Sequence, residues 1–202
     1  MILKHYYWHY SQGLPKELCD KIIKEANKEK KQIALTGDYK IEDLKDNEKL
    51  QSLKKQRDCN IKWLDKKWLY DLMHSFIMDA NSSAGWNFDV SFTEKAQFTI
   101  YGKNQYYGWH HDQFENPHNY PQYPDMNGKI RKLSMSILLN DPKEYEGGVL
   151  EFDTPNGLFQ CKELIQKGSL VIFPSFIKHR VTPITKGKRL SLVSWTLGYL
   201  YR

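Results

Sequence analysis

The sequence predicts a mainly β protein, a jelly-roll barrel with two N-terminal α-helices packed against its outside. Three observations predict it. Apolar residues recur with helical spacing before Gly85, they alternate with polar residues after it, and turn sequences then punctuate the chain at short intervals to its end. At 202 residues the chain can bury a sizeable core. One domain over 1–202 is expected, with 1–84 as helical support and a mobile arm and 85–202 as the barrel.

Leu14, Leu18, Ile22 and Ala26 recur every fourth residue, and Pro15 suits a first helical turn, so a helix is expected from about 15 to 30. From Gln32 to Asn60 the pattern dissolves into polar residues with few apolar anchors, which reads as a long connection or mobile arm. Asp65 is the expected cap of a second helix, on which Trp68, Leu69, Leu72, Met73, Phe76, Ile77 and Ala80 form an apolar stripe. NSSAG at 81–85 ends it. Trp86, Phe88, Val90 and Phe92 then alternate with polar residues, as in a half-buried strand. Short strands follow, separated by YGKN (101–104), LNDPKEYEGG (139–148), TPNG (154–157), QKGS (166–169) and ITKGK (184–188). Residues 113–128, with three prolines and no periodicity, interrupt this rhythm and read as either a poorly ordered excursion or a lid, and their place directly after His110-His111-Asp112 favours the lid.

Lys+Arg 30 against Asp+Glu 24 gives a formal net charge of +6, which favours acidic partners only weakly, because KIIKEANKEKK reads as a solvated helix face. Cys19, Cys59 and Cys161 are far apart and form no CxxC pair, so neither a disulfide framework nor a cysteine zinc site is supported. The N-terminus lacks the apolar core of a signal peptide, and no run approaches the ~18 apolar residues of a membrane helix. A soluble protein in the reducing cytoplasm is expected.

The stretch QYYGWHHDQF (105–114) holds two histidines before Asp112. Along a strand, residues i and i+2 project to one side about 6.5 to 7 Å apart. His110 and Asp112 therefore converge on one ion, while His111 points away and has Gln113, not a carboxylate, two positions on. His179, after the apolar run SLVIFP, is the best third donor. Two histidines and one carboxylate leave open positions on Fe(II); zinc or manganese is the alternative ion. His5, His9, His74 and His118 have no carboxylate at a matching spacing. Arg189 lies ten residues beyond His179 and shares a strand face with Ser191, Val193 and Trp195. An arginine facing a barrel interior needs an anion. That anion is either a glutamate or a carboxylate cosubstrate held by the guanidinium fork.

Taken in order, HxD at 110–112, His179 and the basic Arg189 resemble the signature of the Fe(II)- and 2-oxoglutarate-dependent dioxygenases, and within them the prolyl 4-hydroxylases and related bacterial and phage hydroxylases. The resemblance covers roughly residues 95–200. It implies a double-stranded β-helix of the jelly-roll or cupin-like kind. It also implies Fe(II) on His110, Asp112 and His179, 2-oxoglutarate and O2 as cosubstrates, and ascorbate as an accessory reductant. Tyr101 matches the family tyrosine that bonds the distal carboxylate of the cosubstrate, together with Arg189. Ser134 sits where the family places a small hydroxyl residue, and Ser136 shares its face. EYEGG resembles a family turn, although Val149 stands where the acid usually follows. Trp195 matches the prolyl hydroxylases, whereas demethylases of the AlkB type carry an arginine there. Tyr107 and Trp195 would then flank a substrate proline, with barrel core as the alternative for both. Arg57 and Glu94 match a peptide-holding edge segment and an acidic position sixteen residues before His110. The implied activity is hydroxylation of peptidyl proline, making a proline-containing protein or peptide the partner. The other readings are a nucleic-acid demethylase and a non-catalytic cupin-like binding module.

Overall fold

The computed structural model describes residues 3–37 and 39–201. The N-terminal part holds β1 (Trp8–Tyr10), α1 (Lys16–Asn27), β2 (Gln32–Ile33), α2 (Asn47–Gln56), β3 (Arg57–Asp58), β4 (Asn60–Leu64) and α3 (Lys67–Ser83). It is followed by β5 (Phe92–Thr93), β6 (Ala96–Tyr101), β7 (Tyr106–His110), β8 (Ile130–Leu138), β9 (Tyr145–Gly147) and β10 (Leu150–Thr154). The last strands are β11 (Gly157–Gln160), β12 (Leu170–Pro174), β13 (Lys178–Val181), β14 (Ile184–Gly187) and β15 (Arg189–Gly198).

Two antiparallel sheets form a jelly-roll. The larger runs β1-β12-β8-β15-β6-β4-β2, with β5 also paired to β15, and the smaller runs β11-β10-β13-β7-β3. A cluster that includes Tyr101, Leu138 and Phe173 from the large sheet and Leu150, Phe152 and Val181 from the small one fills the space between them. The outer face of the large sheet presents Phe98, Leu133, Met135, Ile137 and Leu192 to α1 and α3, which contribute Ile22, Ala26, Met73 and Ile77 to a second cluster. The expected helices thus form because each carries one apolar stripe, and that stripe is covered by the back of the sheet that holds the site.

Four sequence expectations are corrected. Residues 32–60 are not a bare connection: they carry β2, a 3-10 turn at Ile41–Lys45, α2 and β3. The apolar stripe of α2 is too thin to read, with Leu53 its one buried residue, but Asp46 caps it by accepting from the amides of Glu48 and Lys49. Asp65 does not cap α3; its carboxylate pairs with Lys95 at 2.9 Å and accepts from Tyr70, and Lys66 occupies the cap without a side-chain bond. The first helix ends at Asn27 rather than about 30. Trp86, Phe88 and Val90 do pack against the helical cluster, yet their backbone joins no ladder before Phe92. The Asn81 side chain takes both the amide and the carbonyl of Phe88 at 2.9 Å, supplying the hydrogen bonds a neighbouring strand would otherwise give.

Candidate active site

His110 ends β7 and His179 lies on β13, and the two are a cross-strand pair with ring centroids 4.1 Å apart. The Nδ1 atoms of both rings bond backbone carbonyls, His110 to Gly108 at 2.8 Å and His179 to Ile177 at 2.9 Å. Carbonyls only accept, so each Nδ1 carries the proton and each Nε2 is left as a bare lone pair. Asp112 lies in the bend beyond β7, where its amide donates to the Ser175 carbonyl at 3.0 Å. Its two oxygens stand 3.5 Å from the Nε2 atoms of His110 and His179. All three donor atoms lie within 4.8 Å of one another, the only such group among the described residues. His111 is exposed and stands outside that group, although it also lines the solvent-open cleft bordered by His110 and Asp112.

The electrostatics suit a cation. Burial acts to raise the Asp112 carboxyl, but the His179 and His110 imidazoles and Arg131 outweigh it and hold the group well below the ordinary carboxylate range. Burial and the neighbouring His110 push His179 down to about 4, so it is neutral and able to ligate near pH 7.

Behind the triad a narrow cavity runs between the sheets to Arg189, lined on the way by Tyr101, Ser136, Leu150 and Val181. Arg189 is 2% exposed, and it forms no salt bridge among the described residues. Its Nη1 donates to Ser191 at 3.1 Å and its Nε has no partner among the described residues. Gly148 makes room for it. With φ +63 and a hypothetical Cβ 2.8 Å from the Arg189 Cδ, any larger residue there would press on the guanidinium stem. Two imidazole nitrogens and a carboxylate fit Fe(II), and a buried guanidinium without a counter-charge fits the far end of a dicarboxylate.

Tyr101 is buried, pairs in register with Arg189 and has its ring 5.9 Å from the guanidinium carbon. Arg189, Ser191, Val193 and Trp195 all line the cavity, and Leu190 and Leu192 face the helices, in agreement with the sequence parity. Ser134 is placed differently from the expectation. Its hydroxyl is 2.9 Å from that of Ser175, the residue that positions the Asp112 amide, and Ser136 is the serine of β8 that lines the cavity.

In front of the triad a cleft of about 600 Å³ opens to solvent. Tyr107 stacks on His110 with centroids 3.4 Å apart, and Arg57 lies over the other residue of its register pair, Tyr107, at 4.5 Å. Trp195 lines both cavity and cleft and has no partner for its Nε1 among the described residues. Glu94 is not a free carboxylate: Arg131 holds both its oxygens, at 2.6 and 2.7 Å. Arg131 also stacks on Trp195 at 3.9 Å and reaches the Asp112 carbonyl at 3.5 Å.

Arg131 carries no motif in the sequence. Strand parity puts it on the face opposite Ser134 and Ser136, toward the helices. A register shift, in which Thr196 and Leu197 of β15 face Leu133 and Arg131 of β8, turns it into the cleft instead. Trp63, 6.4 Å from Trp195, also lines the cleft and had no motif to reveal it.

Residues 96–197 match the model of the 2OG-Fe(II) oxygenase superfamily. The chain is 38% identical over 91 residues to a PKHD-type hydroxylase of Nitrosomonas europaea, a match covering 45% of this chain and 37% of that protein. It is 35% identical over 99 residues to a PKHD-type hydroxylase of Alteromonas mediterranea, covering 48% and 41%. The matched region thus spans roughly two fifths of the length of these relatives. Among solved structures, a Pseudomonas putida prolyl-4-hydroxylase superposes with a TM-score of 0.66 at 19% identity, covering 96% of this chain and 92% of the other. The 2OG complex of the viral collagen prolyl hydroxylase of Paramecium bursaria Chlorella virus-1 gives 0.67 at 18%, covering 96% and 97%. At these identities the structural likeness establishes the fold, a jelly-roll of the oxygenase kind.

Proposed function

The chain belongs to the 2OG-Fe(II) oxygenase superfamily, and from that premise we propose that it is a Fe(II)- and 2-oxoglutarate-dependent hydroxylase acting on peptidyl proline. One observation carries the reading: a complete His110, Asp112, His179 donor set opens directly onto a cavity that ends at a buried arginine with no counter-charge among the described residues. Iron would be held by the two Nε2 atoms and the Asp112 carboxylate. The distal carboxylate of 2-oxoglutarate would be held by Arg189 and Tyr101, with Ser136 beside it.

When bound, iron and 2-oxoglutarate supply the oxidising chemistry, in which O2 gives one atom to succinate formed with release of CO2 and the other to the substrate C–H bond. The protein supplies the rest. The carbonyls of Gly108 and Ile177 fix the imidazole tautomers. Ser175 fixes Asp112. The Glu94–Arg131 pair holds Trp195 from one side, and Trp195 with its free face and Tyr107 with its edge, its faces being taken by His110 and Arg57, serve as aromatic walls for a proline ring at the mouth of the cavity. The peptide substrate is favoured by these aromatic walls and by the prolyl hydroxylase of Trichoplax adhaerens, solved with a hypoxia inducible factor peptide, which has the same fold with a TM-score of 0.68 at 16% identity.

The same reading takes 1–202 as one catalytic domain, because one apolar cluster joins α1, α3 and the large sheet. It also keeps the loop at 113–128 as a lid, since Phe114 lines the cleft. A cytoplasmic setting is consistent with Cys19, Cys59 and Cys161 all being free and buried. Among the described residues no helix is long and apolar enough to cross a membrane.

The substrate assignment is tested by incubating the protein with iron and 2-oxoglutarate in air, offering proline-rich peptides and methylated oligonucleotides side by side. Mass spectrometry should find one added oxygen on proline. Turnover confined to the oligonucleotide would overturn the assignment.

A further inference from the structure

Arg57 is a second buried arginine whose charge nothing among the described residues of the cleft answers. It is 5% exposed and opens β3, the edge strand of the small sheet. Its Nε donates to the Cys59 Sγ at 3.2 Å, and the face of the guanidinium rests on the Tyr107 ring. No carboxylate lies within salt-bridge reach of it among the described residues. With Nε occupied, the two terminal nitrogens form the free edge of the fork, and Arg57 lines both the deep cavity and the open cleft at the point where they meet.

The other charges of the cleft are already committed. Arg131 is neutralised by Glu94, and Asp112 belongs to the donor triad. Among the described residues, Lys30 at the rim and Arg57 inside are the cations left for an occupant. A desolvated, unpaired guanidinium is costly, and that cost is recovered only when an anion arrives. The fork geometry favours a carboxylate bound through two parallel bonds. Arg189 already serves the cosubstrate carboxylate in the proposed function, on which this inference rests.

We infer that Arg57 is a specificity-determining residue that selects an acidic peptide, receiving an aspartate or glutamate side chain beside the residue presented to the triad. The stack Arg57–Tyr107–His110 sets the spacing, since the guanidinium lies one aromatic layer from a donor of the triad. A nucleic acid fits less well. It brings a phosphate with every nucleotide and needs a track of cations, whereas the cleft offers one free guanidinium and one rim ammonium.

The test measures binding of three peptides to the full chain loaded with Mn(II) and 2-oxoglutarate. They are identical but for a glutamate, glutamine or lysine next to a central proline, and a fluorescent label reports binding by anisotropy. The glutamate peptide should bind about 10- to 100-fold more tightly than the glutamine peptide, the range for one charge-assisted contact. Arg57→Gln should erase that difference, and Arg57→Glu should turn the preference to lysine. The wild-type preference should also shrink as salt is raised, a readout that needs no variant to fold. Equal affinity for glutamate and glutamine peptides, no binding of the glutamate peptide, or an Arg57→Gln effect confined to 2-oxoglutarate would each overturn the inference. So would an oligothymidylate that outcompetes the peptides through Arg57. An acidic peptide without proline that shows the same Arg57-dependent preference would uphold the anion site while contradicting the proline assignment.

Discussion

Arg189 and the triad residues are each fixed by a contact the chain makes for itself. The guanidinium is braced by Ser191 and given room by Gly148, lines the cavity, and forms no salt bridge among the described residues. Arg189→Gln should raise the KM for 2-oxoglutarate about 10- to 100-fold, the loss of one charge-assisted hydrogen-bonding partner, with little change in the KM for peptide. Steady-state kinetics with each substrate varied in turn checks this. The pairing of His110 with Asp112 and the shared face of Arg189 and Trp195 were legible because two-residue spacing along strands is a direct statement about which side chains share a face, whereas His179 was reached from the apolar run before it. Parity fails where the ladder slips. Arg131 enters the cleft through a register shift between β8 and β15, and Glu94 is claimed by that arginine, facts that depend on pairing between strands far apart in sequence.

Helix α3 shows what an element contributes without touching the site. Its stripe of Leu69, Met73, Ile77 and Ala80 covers the back of the large sheet, whose other face carries Arg189 and Trp195. Ile77→Ala should cost about 2 to 5 kcal/mol in chemical denaturation, with KM for 2-oxoglutarate unchanged in the folded protein. That stripe was legible because seven apolar residues recur at helical spacing. Helix α2 was not, having a single buried residue, Leu53, yet it delivers the chain directly to Arg57. The segment at 86–91 taught the converse. Its alternation correctly marked which side chains pack inward, Trp86 buried and Phe88 and Val90 half-buried, while Asn81 satisfied the backbone of Phe88 in place of a strand partner.

At the scale of the whole molecule, the site is a cationic, metal-ready seam between two sheets, and its cost appears as pH dependence. His179 titrates near 4 in the folded chain against 6.5 in the unfolded one, so between those values the unfolded state binds more protons. Asp112, depressed by its neighbours, acts in the same direction below the ordinary carboxylate range. The metal-free protein should therefore lose stability as pH falls from about 6.5 toward 4, by roughly 3 kcal/mol for His179 alone, as read from urea unfolding at a series of pH values. Added Mn(II) should steepen the loss, because the imidazoles must shed protons to ligate. The central claim, that the triad and its cavity form an oxygenase centre, is tested most directly by measuring succinate. Wild-type protein should form it only when Fe(II), 2-oxoglutarate and O2 are all present, and His179→Ala, folded by circular dichroism, should form none above background. Full turnover by His179→Ala, or wild-type succinate formation indifferent to iron, would contradict the account.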